Sequence, residues 1–232
     1  MINKAFNKGL LVLLYVVFCC NTLQAQESRK IRGDSSSWDI ANNQMKYFGN
    51  AVLTYQNLVI KGDELVAKSD SIDKQEIIIV TGQPASFQDV DPEQNLSTNL
   101  RAYKIQYHSA NNTINASQQV HIKQTNERQE TINIEGEELS LKQEKNYRLS
   151  VSGSPLHITI LQADQSSIDA QAEQLFYDKK TEQFELIGSV VVKSERETMK
   201  ANRVIYNMKT QILQVPKSDK GQVEIIQSKP KD

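Results

Sequence analysis

The side chains best suited to chemistry are few. The chain has three histidines, His108, His121 and His157, each in or beside a run of alternating β-branched and polar residues. None has Cys, Asp or Glu at metal-ligand spacing, so no zinc or non-haem iron site is expected. Carboxylates occur as neighbours, as at Glu137 and Glu138, but adjacent strand residues point to opposite faces and cannot share an acid–base task. No Gly-x-Ser-x-Gly elbow, P-loop or dinucleotide fingerprint occurs. Asn-x-Ser/Thr triplets at Asn95, Asn111 and Asn115 read as strand-and-loop composition, not glycan sites. The expectation is a protein without catalysis, metal or cofactor.

Residues 1–25 read as a signal peptide. Lys4 and Lys8 precede an apolar stretch from Leu10 to Cys20, and Leu23-Gln24-Ala25 offers a cleavage site before Gln26. The stretch is shorter than the roughly 20 residues a membrane span needs. Phe18 before Cys19 departs from the small residue of a lipobox. Cleavage removes Cys19 and Cys20, so the mature chain would rely on packing and sheet hydrogen bonds without a disulfide. It also removes Lys4 and Lys8, leaving 25 of 27 basic residues against 28 acidic ones. That balance does not fit a nucleic-acid binder, which presents strong basic patches. Residues 26–226 suit one large β-domain and 227–232 a disordered tail. Apolar residues make up 38 %, below the roughly 45–50 % of ordinary globular domains. Such a chain can line one face of a thin, elongated sheet better than fill a thick core.

Period-2 runs recur: Ala51-Val-Leu-Thr-Tyr55, Ile77-Ile-Ile-Val-Thr81, Val120-His-Ile-Lys123, His157-Ile-Thr-Ile160 and Val190-Val-Val-Lys193. They predict an all-β fold. Beneath them lies a degenerate repeat, an apolar residue, any residue, then Gly or Ala, centred on Gly33, Gly62, Ala102, Gly136, Ala172 and Ala201. Leu65, Ile105, Leu139, Leu175 and Val204 each follow three residues after the small one. Gly49, Gly82, Ser117, Gly153 and Gly188 open further strands. The alternation changes phase at each anchor: Leu100 and Ala102 share one face, Ile105 and Tyr107 the other. A bulge or bend at the small residue would return all four to one side. Stacked β-rungs with a continuous apolar interior are expected, the other reading being an ordinary β-sandwich whose strands resemble one another by chance. The segment from Asp89 to Asn99 reads as a long polar loop and Thr125 to Glu130 as a shorter one. Beyond Pro216, Val223 to Ile226 is a candidate edge strand.

The ordered motifs resemble those of the LptA/OstA family of lipopolysaccharide transport proteins. Ile31-Arg-Gly-Asp34, Gly49-Asn-Ala-Val-Leu-Thr54 and Ile60-Lys-Gly-Asp63 are similar to its opening. Gly82-Gln-Pro-Ala-Ser-Phe87, Ala102-Tyr-Lys-Ile-Gln-Tyr107 and Ser218-Asp-Lys-Gly221 resemble later motifs. The likeness spans about residues 29–226, with a middle near 125–165 that looks like an additional rung or two. It implies a curved, slightly open β-jelly-roll of stacked antiparallel rungs with an apolar groove. It also implies a periplasmic, non-enzymatic carrier of the lipid A moiety of lipopolysaccharide, bridging an LptC-like inner-membrane protein and an LptD-like outer-membrane protein and stacking head to tail. By position, Ile31, Ile60, Phe87, Ile105 and Tyr107 would face the lipid, with plain core packing as the other reading. Strands near Ile31 to Trp38 and Ile205 to Ile226 would meet partners, through Trp38, Ile205, Val223 and Ile225. Trp38 could equally staple the first rung. Arg29, Lys30 and Arg32 could meet lipid phosphates or form a solvated basic cluster. The alternatives are an LptC-like anchored component, which needs an uncleaved N-terminus, and an exported structural or adhesive β-solenoid. A carbohydrate-active enzyme would need a carboxylate pair facing one cleft, and no recognisable motif supplies it.

Overall fold

The computed structural model describes residues 29–227, apart from 56, 70–75, 92–95, 112, 126, 128, 143–147, 179, 182, 195–196, 208–209, 211 and 218–223. The expected signal peptide, Val223 and Ser218-Asp-Lys-Gly221 lie outside the described residues. The strands are β1 (Lys30–Arg32), β2 (Ser35–Asp39), β3 (Gln44–Tyr55), β4 (Leu58–Ser69), β5 (Glu76–Asp91), β6 (Leu96–His108) and β7 (Thr113–Thr125). There follow β8 (Thr131–Lys142), β9 (Arg148–Leu161), β10 (Ser167–Asp178), β11 (Gln183–Lys193), β12 (Glu197–Asn207), β13 (Ile212–Gln214) and β14 (Glu224–Gln227). From β3 to β12 each strand pairs antiparallel with the next, in one unclosed meander. β1 and β2 both flank β3, and β13 and β14 both flank β12.

Every long strand changes register once near its middle, and the surplus residues always fall on the odd-numbered one. From Phe48 to Ala51, β3 takes three steps where β4 takes two between Gly62 and Glu64. From Thr81 to Ala85, β5 takes four where β6 takes two between Ala102 and Lys104. β7, β9 and β11 repeat this against β8, β10 and β12. The bulges turn through the left-handed region at Gly49 and Asn50, at Gln118 and Gln119, and at Gly188 and Ser189. The even strands pass the bulges with small residues. A Cβ on Gly62 would sit 2.5 Å from the Thr81 carbonyl oxygen, and one on Gly136 would sit 2.7 Å from that of Ser152. The phase jump expected from sequence is therefore resolved by bulges. Leu100, Ala102 and Ile105 are all buried, and Tyr107 packs against the same core.

The bends divide the meander into two facing sheets. The first carries β2, the leading arms of the odd long strands, the trailing arms of the even ones, and β13. The second carries β1, the complementary arms and β14. Inward apolar side chains of both merge into one cluster. Beside the bend, Leu65, Val80, Ala102, Val120 and Leu156 have no exposure, whereas Ile158, Ile160, Ala170 and Val192, further out, reach 7–8 %. The molecule is a trough sealed along its bend, an all-β, unclosed jelly-roll.

Two sequence readings need revision. The expected loop from Asp89 to Asn99 is largely strand, because β5 runs to Asp91 and β6 starts at Leu96. There Gln88 Nε2 donates to Asn99 Oδ1 at 2.9 Å. Ile205, expected on an outer strand, lies on β12, between Glu185 of β11 and Gln214 of β13. The three-residue β13 covers it.

Candidate functional site

The interior is not uniformly filled. Between β8 and β13 the sheets part around a narrow apolar cleft that leaves about 70 Å³ for the centres of water-sized spheres. The second sheet lines it with Ile132, Ile134, Ile158, Ile160, Ile168, Ala170 and Val192, and the first with Leu175, Phe184, Leu186, Val204, Tyr206 and Leu213. Period-2 alternation puts these side chains on the inner faces. No lining residue carries a charge. Burial raises the Tyr206 phenol above its ordinary value, which keeps it neutral. Across the second sheet's lip stand inward-facing polar residues, Thr98, Gln124, Glu130 and Gln162, the last three buried. Gln124 Nε2 donates to Thr98 Oγ1 at 3.2 Å.

The five groove residues expected from sequence all face this interior. Ile60, Phe87 and Ile105 are buried, while Ile31 and Tyr107 are partly buried against the core. They line its N-terminal half, and none borders the cleft. The cleft residues were missed, although His157-Ile-Thr-Ile160 and Val190-Val-Val-Lys193 already marked two of its strands. The middle segment near 125–165 forms β8 and β9, which continue the rungs and supply four cleft residues, so it lengthens the groove.

Both open ends of the trough present apolar side chains on the inner side. Trp38, registered opposite Met45, is 63 % exposed at one end, and Ile225, registered opposite Met199, is 50 % exposed at the other. Trp38 therefore does not staple the first rung's core. The histidines stay apart from this interior. His121 Nε2 lies 3.5 Å from Glu135 Oε1, and His157 Nδ1 lies 3.4 Å from Gln171 Nε2, both on exposed side chains. Among the described residues no three His, Cys, Asp or Glu side chains gather as a metal site. Glu137 and Glu138 are exposed at the bend of β8.

A family model described as LptA/(LptD N-terminal domain) LPS transport protein matches the chain twice, over residues 30–130 and 126–212. The chain belongs to this lipopolysaccharide-transport family. The two matched stretches meet at the hairpin between β7 and β8. Among solved structures, the chain aligns with LptH, the LptA-homologous periplasmic component of the lipopolysaccharide transport device from Pseudomonas aeruginosa. The alignment covers 88 % of this chain and 96 % of that one, at 12 % identity and a TM-score of 0.32. No curated protein matches the chain significantly. Membership makes this a transport protein by family.

Proposed function

We propose that the chain is a periplasmic carrier that holds the acyl chains of lipopolysaccharide between its two sheets and passes them along the trough. The observation that carries this reading is the apolar, uncharged cleft running across successive rungs from β8 to β13. Burying one 12-carbon chain is worth on the order of 10 kcal/mol at about 0.8 per methylene. A fully enclosed multi-chain lipid would hardly leave, so transfer requires an open side and a next trough of similar affinity. The unclosed ends favour such a junction. Short strands, β1 and β2 at one end and β13 and β14 at the other, leave backbone groups for strand addition by an LptC-like, an LptD-like or a second identical chain. Trp38 and Ile225 would continue the greasy surface across the joint. Ile205, one strand in, is not proposed as a contact. Export to the periplasm rests on the expected signal peptide and on the family. Among the described residues no helix is long and apolar enough to cross a membrane.

Photo-crosslinking in living cells tests the proposal. A photoreactive residue at Ile158 or Leu186 should give adducts at lipopolysaccharide size, while one at the neighbouring outward Thr159 should give none. Equal adducts at Thr159, or none at Ile158, would sink the carrier reading.

A further inference from the structure

Four ion pairs among the described residues join neighbouring strands of one sheet. Arg148 and Asp178 are registered partners on β9 and β10, His121 and Glu135 on β7 and β8, and Lys200 and Glu224 on β12 and β14. Arg203 and Glu185 are diagonal neighbours on β12 and β11. Arg29 and Glu76 differ. Arg29 enters β1 at the outer margin of the second sheet, where the adjoining Lys30 pairs with Thr54. Glu76 begins β5 at the outer margin of the first sheet, between Ser69 of β4 and the turn after β6. Their strands are not paired. Arg29 stands two residues before the inward Ile31, and Glu76 two before the buried Ile78, so alternation turns both towards the groove.

The contact is two-pronged. Arg29 Nη1 donates to Glu76 Oε2 and Nη2 donates to Oε1, the latter at 2.5 Å. The fork geometry favours a fixed pairing over a loose approach of charges. Glu76 is also held through its backbone: its N–H donates to Ser109 Oγ at 2.8 Å and its carbonyl accepts from the Ser109 N–H at 2.9 Å. One jaw is thus pinned to the next hairpin, while the other is carried by the three-residue β1.

We infer that Arg29 and Glu76 form a latch that ties the two lips of the groove together at its N-terminal end and must part before an acyl chain passes there. This inference rests on the carrier reading and adds a gate to it. The C-terminal half has the cleft and the N-terminal half has the latch, so the latched end is where passage is controlled. The side chains are 37 % and 24 % exposed. The pair is therefore weak enough to open and close in ordinary thermal motion, and salt weakens it further.

Two measurements on the full chain carrying Cys19→Ser and Cys20→Ser test the latch. Spin labels at Thr54→Cys and Lys68→Cys, on the outer faces of the two sheets beside the latch, report the lip-to-lip distance without lipid. Glu76→Gln or Arg29→Gln should lengthen and broaden it, and the swap Arg29→Glu with Glu76→Arg should restore it. Trp38, the sole tryptophan, then reports uptake of a doxyl-labelled fatty acid by quenching in stopped flow. Without the spin labels, Glu76→Gln should quench about two- to fivefold faster than wild type, the factor that goes with an ion pair of this exposure, and the swap should return to the wild-type rate. An unchanged distance in both neutral variants, or a longer one with an unchanged rate, overturns the latch. If no protein, wild type included, is quenched, the carrier reading fails, and the distance still decides whether the ion pair ties the sheets.

Discussion

Across residues 30–130 the facing sheets close on Phe87, Leu65, Val80 and Ile105, all 3 % exposed or less, and at their outer margin Glu76 is ion-paired with Arg29, just ahead of this stretch. Across residues 126–212 the same bulge-and-small-residue bend recurs, yet the walls stand apart around the cleft. The backbone device is shared, so side-chain volume decides the difference. In the first stretch Phe87 fills the second sheet's inner face at the level where the second stretch has Ile158, five residues beyond Gly153 as Phe87 is beyond Gly82. Ala170 and Val192 flank the cleft where bulkier side chains would close it. A void forfeits contact energy along its lining, so a sequence that keeps one trades stability for room.

Truncating one aromatic in each half should separate them most. Phe87→Ala empties a packed site and should cost about 3–5 kcal/mol. Phe184→Ala removes a half-buried ring already beside empty space and should cost roughly 1–2 kcal/mol, including its tilted contact with Tyr177 at 4.7 Å between ring centroids. Urea unfolding of the two variants checks this. Equal losses would mean that the cleft is packed as tightly as the rest.

Filling is the converse and has a smaller effect on stability. Ala102→Phe forces a ring into a site with no exposure and should destabilise by about 1–3 kcal/mol. Ala170→Phe should change stability by less than about 1 kcal/mol and abolish the lipopolysaccharide adducts formed from Ile158. Adducts persisting in a folded Ala170→Phe protein would move the cargo elsewhere in the trough.

The fold was legible because β-branched runs, most of them alternating, recur along the chain and the phase jump at each small residue calls for a bulge or a bend. That the groove residues face inward was legible for the same reason. The position of the cleft was not. It depends on which arms of opposite sheets oppose each other, Ile158 and Ala170 against Leu186 and Val204, and no single strand records that pairing. Strand ends were also hidden. Gln88, Asp89 and Asn99 are polar because their arms run out to the lip, and polarity there imitates a loop. The three residues of β13 are too few to show a period, which left Ile205 looking outermost.

The smallest expected effect concerns the polarity of the cleft wall. Tyr206 is raised above the ordinary phenol value of 10.0 because burial penalises the phenolate. A group that holds its proton more tightly when folded contributes stability that is fully present below its unfolded pKa and is lost as pH rises through its folded one. Wild-type stability should therefore fall more steeply than that of Tyr206→Phe across a window that opens near the unfolded phenol value of about 10 and runs upward, with the two parallel in slope below that window. Subtracting one variant from the other removes the contribution of the remaining tyrosines and lysines. Urea midpoints taken across the window provide the measurement. Parallel curves would mean that water reaches the phenol freely, and a wall that wet would not hold an acyl chain.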